Sequence, residues 1–347
     1  MDFASLPKVV LHDHLDGGLR PATIVELAAE YGYTDLPTTD FEALEQWFDQ
    51  GLSGSLEQYL AAFDHTVAVM QHPEAVERVA YESLVDAAND GVIHLESRFA
   101  PSLLTGGGMD RLEALGAAAA GFRRAESETA ATWGLIVDAM RQDSDSDDVA
   151  EVAIAAKDLG VVGFDLAGPE AGFPASRHRG ACETVLAAGL GLTIHAGEAA
   201  GPRSILDALD CGAQRIGHGF RIIDDCVVTD GEIVDLGPVA RRVHEGRIPL
   251  EICPISTTHT TGMPVADHPI DLLRRAGFVV TVSPDNRLMS RTTTSGEYRL
   301  LATTFGWGPS EFDHVGRAAA GAIFGTGSLR TVVRDRLAEG TRPVNLE

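Results

Sequence analysis

Leu192-Thr193-Ile194-His195 is a short run of branched and apolar residues closed by a histidine, and Ala196-Gly197-Glu198 leads out of it toward a helical pattern at Ile205–Leu209. A buried strand, a turn and an amphipathic helix in that order form the repeating unit of a parallel sheet. Four runs of the same kind precede it, at Val9–Leu15, Val92–Phe99, Gly134–Met140 and Val161–Leu166. Three follow it, at Arg215–His218, Pro249–Cys253 and Phe278–Val282. Most pass through a polar or glycine-containing turn into a helical pattern, at Val76–Ala88, Val149–Leu159, Ala181–Ala188, Val239–His244 and Ile270–Arg275. Eight such units predict an α/β fold, a single (β/α)₈ TIM barrel spanning residues 1–347. The pattern alone leaves a doubly wound open sheet as its rival.

Two regions stand outside the repeat. Residues 35–75, after the first strand, read as a helical insertion, in which Leu56, Tyr59, Leu60 and Phe63 fall at i, i+3, i+4 and i+7. That spacing by itself describes an ordinary packing face. Three further helices are predicted after the eighth strand, near Gly296–Phe305, Glu311–Phe324 and Leu329–Glu339, and the acidic run Asp143–Asp148 reads as a solvated loop and helix start.

Composition narrows the function classes. Of 347 residues 44% are hydrophobic, enough for a large core, and the formal charge is −24. Such a surface repels phosphate backbones and anionic lipid, so neither nucleic acid nor membrane is expected as a partner. Cys182, Cys211, Cys226 and Cys253 show no C-x-x-C spacing and fit a reducing cytosol. Residues Met1–Pro7 lack a signal-peptide pattern, and the expected location is cytoplasmic. The expected assembly is a monomer or homodimer.

The first strand carries His12-Asp13-His14. Residues two apart on a strand share a face, so the two imidazoles point one way and Asp13 the other. H-x-H alone describes equally a metal chelate and a buried, hydrogen-bonded pair. His195, His218 and Asp285 shift the balance, because each ends another predicted strand. In a barrel those ends converge on one mouth. Three nitrogens and a carboxylate suit zinc with a position left open for water. Zinc lowers the pKa of such water toward neutrality, and His218 or Asp285 could take its proton. Glu198, three residues beyond His195, reads as an acid delivering a proton to a ring nitrogen, or as a carboxylate that orients His195. Gly168, Gly197, Gly217 and Gly219 permit close approach of backbone and substrate.

Together, Leu11–Gly17, Gly163–Glu170, Thr193–Glu198, Arg215–Gly219 and Asp285 resemble the adenosine deaminase family of the amidohydrolase barrels, in the family's order and over roughly Lys8 to Phe324. The resemblance implies one Zn2+ per chain, held by His12, His14, His195 and Asp285. It implies that Glu198 protonates N1 of a purine, that His218 assists deprotonation of the water, and that the Gly168 backbone meets N3. It assigns Asp16 to the sugar hydroxyl and makes Leu56, Tyr59, Leu60 and Phe63 an apolar lid. The implied substrate is a small-molecule purine nucleoside, adenosine or 2′-deoxyadenosine, converted to inosine or 2′-deoxyinosine and ammonia. Gly163–Gly168 offers no lysine to bridge two metals, and the cytidine deaminase signature is absent.

Three positions depart from the family pattern. Asn286 stands where a second acid contacts N7 of the purine, and its amide can still donate. Pro284 precedes Asp285 where a threonine is expected, and proline restricts its own φ and that of Ser283. Cys253–Gly262 differs from the family's shorter loop after the seventh strand and carries His259. Loop drift accounts for this, and a pocket altered for a modified six-aminopurine compound, such as a specialised nucleoside, aminodeoxyfutalosine or adenine, is the alternative. Two readings of other classes are a zinc hydrolase of esters, amides or lactones and a catalytically silent metal-binding relative.

Overall fold

The computed structural model describes residues 1–49 and 56–340, so part of the 35–75 insertion and the last seven residues lie outside it. Eight parallel strands form one sheet in chain order. They are β1 (Lys8–His14), β2 (Val92–Phe99), β3 (Thr132–Met140), β4 (Val161–Ala167), β5 (Gly191–Ala196), β6 (Arg215–His218), β7 (Leu250–Ile252) and β8 (Val280–Val282). Each expected run is one of these strands, and the sheet nearly closes into the expected barrel. The last strand reaches the first through a single bridge between Asp13 and Asp285. There the Asp285 N–H donates to the His12 carbonyl at 3.2 Å, and the Asp285 carbonyl accepts from His14 at 2.9 Å. Ser283 Oγ fills the adjoining gap, accepting from the amides of Leu11 and His12 at 3.3 and 3.2 Å.

The strands read as apolar because one face of each packs on the outer helices, as with Leu135, Val137, Phe164, Leu166, Ile194, Ile216 and Ile252. The other face is charged. Arg98 reaches Asp165 at 2.6 Å and Glu251 at 2.8 Å, and Arg215 reaches Glu96 at 2.6 Å and Glu251 at 2.5 Å, all of them fully buried. Opposite charges spaced around the barrel satisfy one another where aliphatic layers usually fill it. The helices Thr294–Phe305, Pro309–Ala322 and Gly327–Gly340 follow β8, and Ala319, Ala320, Val333 and Leu337 from the last two, with Ile323 between them, pack on Val9 and Leu11. The insertion contributes the helices Phe41–Phe48, Leu56–Leu60 and Phe63–Val69. No helix among the described residues is long and apolar enough to cross a membrane.

Two local elements differ from the sequence reading. Cys226–Thr229 and Glu232–Leu236 form an antiparallel hairpin outside the barrel. Its Asp230-Gly231 turn, with φ of 52° and 74°, is the standard two-residue signal for such a pair. The segment after β7 is not an irregular loop: Pro254–Thr261 is a helix, ended by Gly262 at φ 70°. Proline at its first turn and glycine just past its end are the positions helices favour for those residues.

Candidate metal centre and active site

The carboxyl ends of β1, β5 and β8 bring His12, His14, His195 and Asp285 together. His14 Nε2 lies 3.2 Å from His195 Nε2. Asp285 Oδ1 lies 3.3 Å from His12 Nε2 and 3.4 Å from His14 Nε2. Four donors arranged tetrahedrally around zinc, at bond lengths of roughly 2.0–2.1 Å, stand about 3.3–3.4 Å apart. Three edges of this cluster match that spacing, and His12 Nε2 and Asp285 Oδ1 are buried without a hydrogen-bond partner in the protein. The residues therefore fit a metal ion of the kind that the resemblance implies.

Behind each imidazole stands a carboxylate. His12 Nδ1 is 2.9 Å from Glu251, His195 Nδ1 is 2.9 Å from Asp165, and His14 Nδ1 is 3.4 Å from Asp138. Such partners fix the ring and turn its other nitrogen outward as a ligand. Orienting His195 is thus the task of Asp165, not of Glu198. Burial pushes His12 below the usual histidine range and His195 down to about 3, so both are neutral donors. Against the same burial, Asp138 and Asp285 carry His14 up to about 9. The cluster favours a positive charge, which a divalent cation provides in place of that proton.

Above this cluster lies a cavity of about 290 Å³. His14, His195, Glu198, His218, Asp285 and Asn286 line its floor and sides, with Asp16 and Gly168. Leu56, Tyr59, Leu60 and Phe63 line it from the insertion. Every expected site residue except His12, which sits beneath among the donors, therefore faces one space. Burial pushes the Glu198 carboxyl up to about 6, helped by the charges of Asp285 and Glu170 and opposed by His218. Its Oε2 is 3.6 Å from His218 Nε2. Burial likewise holds Asp16 at about 6, and its Oδ1 makes no hydrogen bond within the protein.

Local geometry explains how the backbone presents these groups. His218 and Asp285 have φ of 58° and 63°, a left-handed conformation that costs a non-glycine residue about 1–3 kcal/mol. Asp285 keeps it through the seam hydrogen bonds, and Pro284 does not draw the carboxylate away from the histidines. A Cβ on Gly217 would stand 3.1 Å from His195 Cα and 3.2 Å from His12 Cε1, so glycine leaves room for the donor rings.

The sequence reading missed several neighbours. Tyr59 is not merely apolar cover: its hydroxyl is 2.7 Å from Ser290 Oγ. Asp138, Asp165, Glu251 and Glu170 were unassigned. Their strand-end or loop positions were the available signal, but acids there are common and no spacing marks their partners.

The comparisons with known proteins point the same way. The sequence matches the family profile described as adenosine deaminase over residues 7–339. The adenosine deaminase of Mycobacterium leprae (strain TN) is 50% identical over 310 residues, covering 87% of this chain and 86% of that protein. That of Mycobacterium tuberculosis (strain H37Rv) is 49% identical over 313 residues, covering 88% and 86%. Among solved structures, an adenine deaminase from Arthrobacter aurescens superposes with a TM-score of 0.83 at 26% identity, covering 96% of this chain and 98% of that one. An N6-mAMP deaminase of Arabidopsis gives 0.82 at 27%, covering 97% and 99%.

Proposed function

The chain belongs to the adenosine deaminase family of hydrolases acting on carbon–nitrogen bonds, and from that premise we propose that it is a zinc-dependent deaminase of adenosine and 2′-deoxyadenosine. The observation that carries this reading is the close approach of the His12, His14, His195 and Asp285 donor atoms, 3.2, 3.3 and 3.4 Å along three edges, beneath a cavity walled by Glu198 and His218. When bound, zinc supplies a water acidic enough to yield hydroxide near neutral pH.

The chain's own groups do the rest. His218 or Asp285 accepts the water's proton. Glu198, neutral up to about pH 6 and buried beside the floor, delivers a proton to N1 as the ring carbon at position six is attacked. The Gly168 amide meets N3, Asn286 donates to N7, and Asp16 accepts from a sugar hydroxyl. Leu56, Leu60 and Phe63 exclude bulk water. The proton taken from the water passes to the six-amino group, which leaves as ammonia, and the six-hydroxyl returns a proton to Glu198, leaving the six-oxo product.

The cavity wall also bears on the form of substrate. Among the described residues lining it there is no lysine or arginine, while Asp16, Asp64 and Asp138 are acidic. A 5′-phosphate would find no counter-charge there, which favours a nucleoside over a nucleotide. Zinc-loaded protein should therefore convert adenosine and 2′-deoxyadenosine, followed by the ultraviolet change to the six-oxo purine. It should leave adenine, AMP and N6-methyl-AMP nearly untouched, and Glu198→Gln should abolish turnover. Preference for a phosphorylated substrate, or for free adenine, would overturn the reading.

A further inference from the structure

Glu170 lies two residues beyond Gly168 on the loop after β4, and it is buried. Its Oε1 accepts the N–H of Gly197 at 2.7 Å. Its Oε2 accepts those of Glu198, Ala199 and Ala200 at 3.0, 2.7 and 2.9 Å. Four successive amides of the loop after β5 thus converge on one side chain of the loop after β4. A run of N–H groups facing inward is how backbone concavities hold anions, and here the anion belongs to the chain. A carboxylate offers about four lone-pair sites on two oxygens. Here Oε2 is saturated by three donors and Oε1 takes one.

A negative side chain in an interior position needs an opposite charge nearby. Arg141, the residue after β3, is 1% exposed, and neither its Nε nor its two terminal nitrogens hydrogen-bond another protein group. Burial pushes the Arg141 guanidinium below the usual arginine range, and the carboxylates of Glu170, Asp165, Glu198 and Asp207 oppose that shift. Its backbone is fixed: the N–H donates to the Ala167 carbonyl at 2.9 Å, and its carbonyl lies 2.9 Å from His178 Nε2. The Arg141 backbone therefore ties the end of β3 to the end of β4, and the Glu170 carboxylate ties the loop after β4 to the Gly197–Ala200 backbone.

We propose that Glu170 is a positioning residue for the deamination, clamping the backbone of Glu198 to the loop of Gly168, with Arg141 as its counter-charge. This rests on the reading of Glu198 as the proton donor. The segment needs a clamp because Gly197 sits at φ 73° and no helix or strand holds Gly197–Gly201. The two grips on the purine, the Gly168 amide and the Glu198 carboxyl, ride on separate loops, and the Glu170 carboxylate sets their spacing. Glutamine at 170 would keep one oxygen and turn an NH₂ donor toward the remaining amides, so part of the clamp would open.

The test uses full-length, zinc-loaded Glu170→Gln, Arg141→Met and the double variant. It reads amide hydrogen exchange at Gly197–Ala200, zinc content, and kcat per bound zinc with KM for adenosine. Glu170→Gln should retain its zinc and exchange those amides at least about tenfold faster. Its kcat per zinc should fall about 100-fold, as for a reacting group displaced by an ångström, while KM moves less than about threefold. Arg141→Met should act in the same direction, and the double variant should be no worse than the poorer single, because both act along one line. Unchanged exchange or unchanged kcat in Glu170→Gln overturns the clamp, and losses that multiply in the double variant overturn the part given to Arg141. If the parent chain leaves adenosine unchanged, the functional reading fails, while exchange still decides the clamp. Should Glu170→Gln not fold, Arg141→Met and the parent chain carry the measurement, and fast exchange of the four amides in the parent overturns the proposal.

Discussion

His12 Nε2 and Asp285 Oδ1 face each other at 3.3 Å across the seam where the first and last strands close the barrel. The backbone of Asp285 bonds to both His12 and His14, so one residue completes the sheet and the donor cluster together. Its left-handed φ of 63° is kept because both tasks fall on it.

Asp285→Ala separates the two tasks, since the seam hydrogen bonds are made by the backbone. The variant should fold with the parent's circular dichroism, lose zinc on dialysis, and turn adenosine over at least about 1,000-fold more slowly, the equivalent of several kcal/mol of lost charge stabilisation. Metal analysis checks it, and a variant that still holds one zinc per chain would remove Asp285 from the donor set.

Asp138→Asn tests the carboxylates behind the imidazoles. Asp138 stands 3.4 Å from His14 Nδ1 and helps hold that ring above the usual histidine range. Loss of such a partner weakens zinc binding about 10–100-fold. Competition with a chromogenic chelator measures this, and unchanged affinity would show that His14 is oriented by other means.

Tyr59→Phe removes the hydroxyl that joins the insertion to Ser290 and leaves the ring over the cavity. A buried neutral hydrogen bond contributes about 0.5–1.5 kcal/mol, so KM for adenosine should rise about 2- to 10-fold with kcat nearly constant. Steady-state kinetics decide it. A large loss of kcat at constant KM would mean that the latch orders the chemistry, not the cover.

His268 gives a pH dependence apart from the metal donors. Burial pushes it down to about 3, with the charge of His218 adding to the effect, and its Nδ1 accepts the Ile270 N–H at 3.1 Å. It is therefore neutral in the folded chain. The unfolded chain takes up a proton near pH 6.5 and the folded chain does not, so this contribution is intact above pH 6.5 and is lost as pH falls toward 3. The slope approaches about 1.4 kcal/mol per pH unit. His268→Asn keeps an acceptor for Ile270 and should flatten the urea-derived stability profile between pH 6 and 4 by that amount. Parallel profiles for parent and variant would mean that His268 protonates without cost.

All eight strands were legible in the sequence because a parallel strand packs one face on helices, and that face carries branched apolar residues at every repeat. The donor residues were legible because each ends such a run, where the fold gathers side chains at one mouth. The Asp230-Gly231 hairpin was legible by its turn and went unread because its strands are short and exposed. The helix Pro254–Thr261 was harder: four threonines in eight residues favour irregular backbone, and the hydroxyls of Thr257, Thr258, Thr260 and Thr261 bond carbonyls one turn back instead.

What the sequence by itself determined is what repeats locally: strand, turn and helix in eight-fold order, and the kinds of side chain at the strand ends. Only the tertiary structure decided which carboxylate stands behind which imidazole, how Arg98, Arg215, Glu96 and Glu251 neutralise one another inside the barrel, and how Glu170 gathers the amides beside Glu198. Those contacts join residues 27 positions apart at Glu170 and Gly197 and 239 apart at His12 and Glu251. Side-chain periodicity reports which face a residue occupies, but charge pairing depends on distance through space, and closure of the barrel sets that distance.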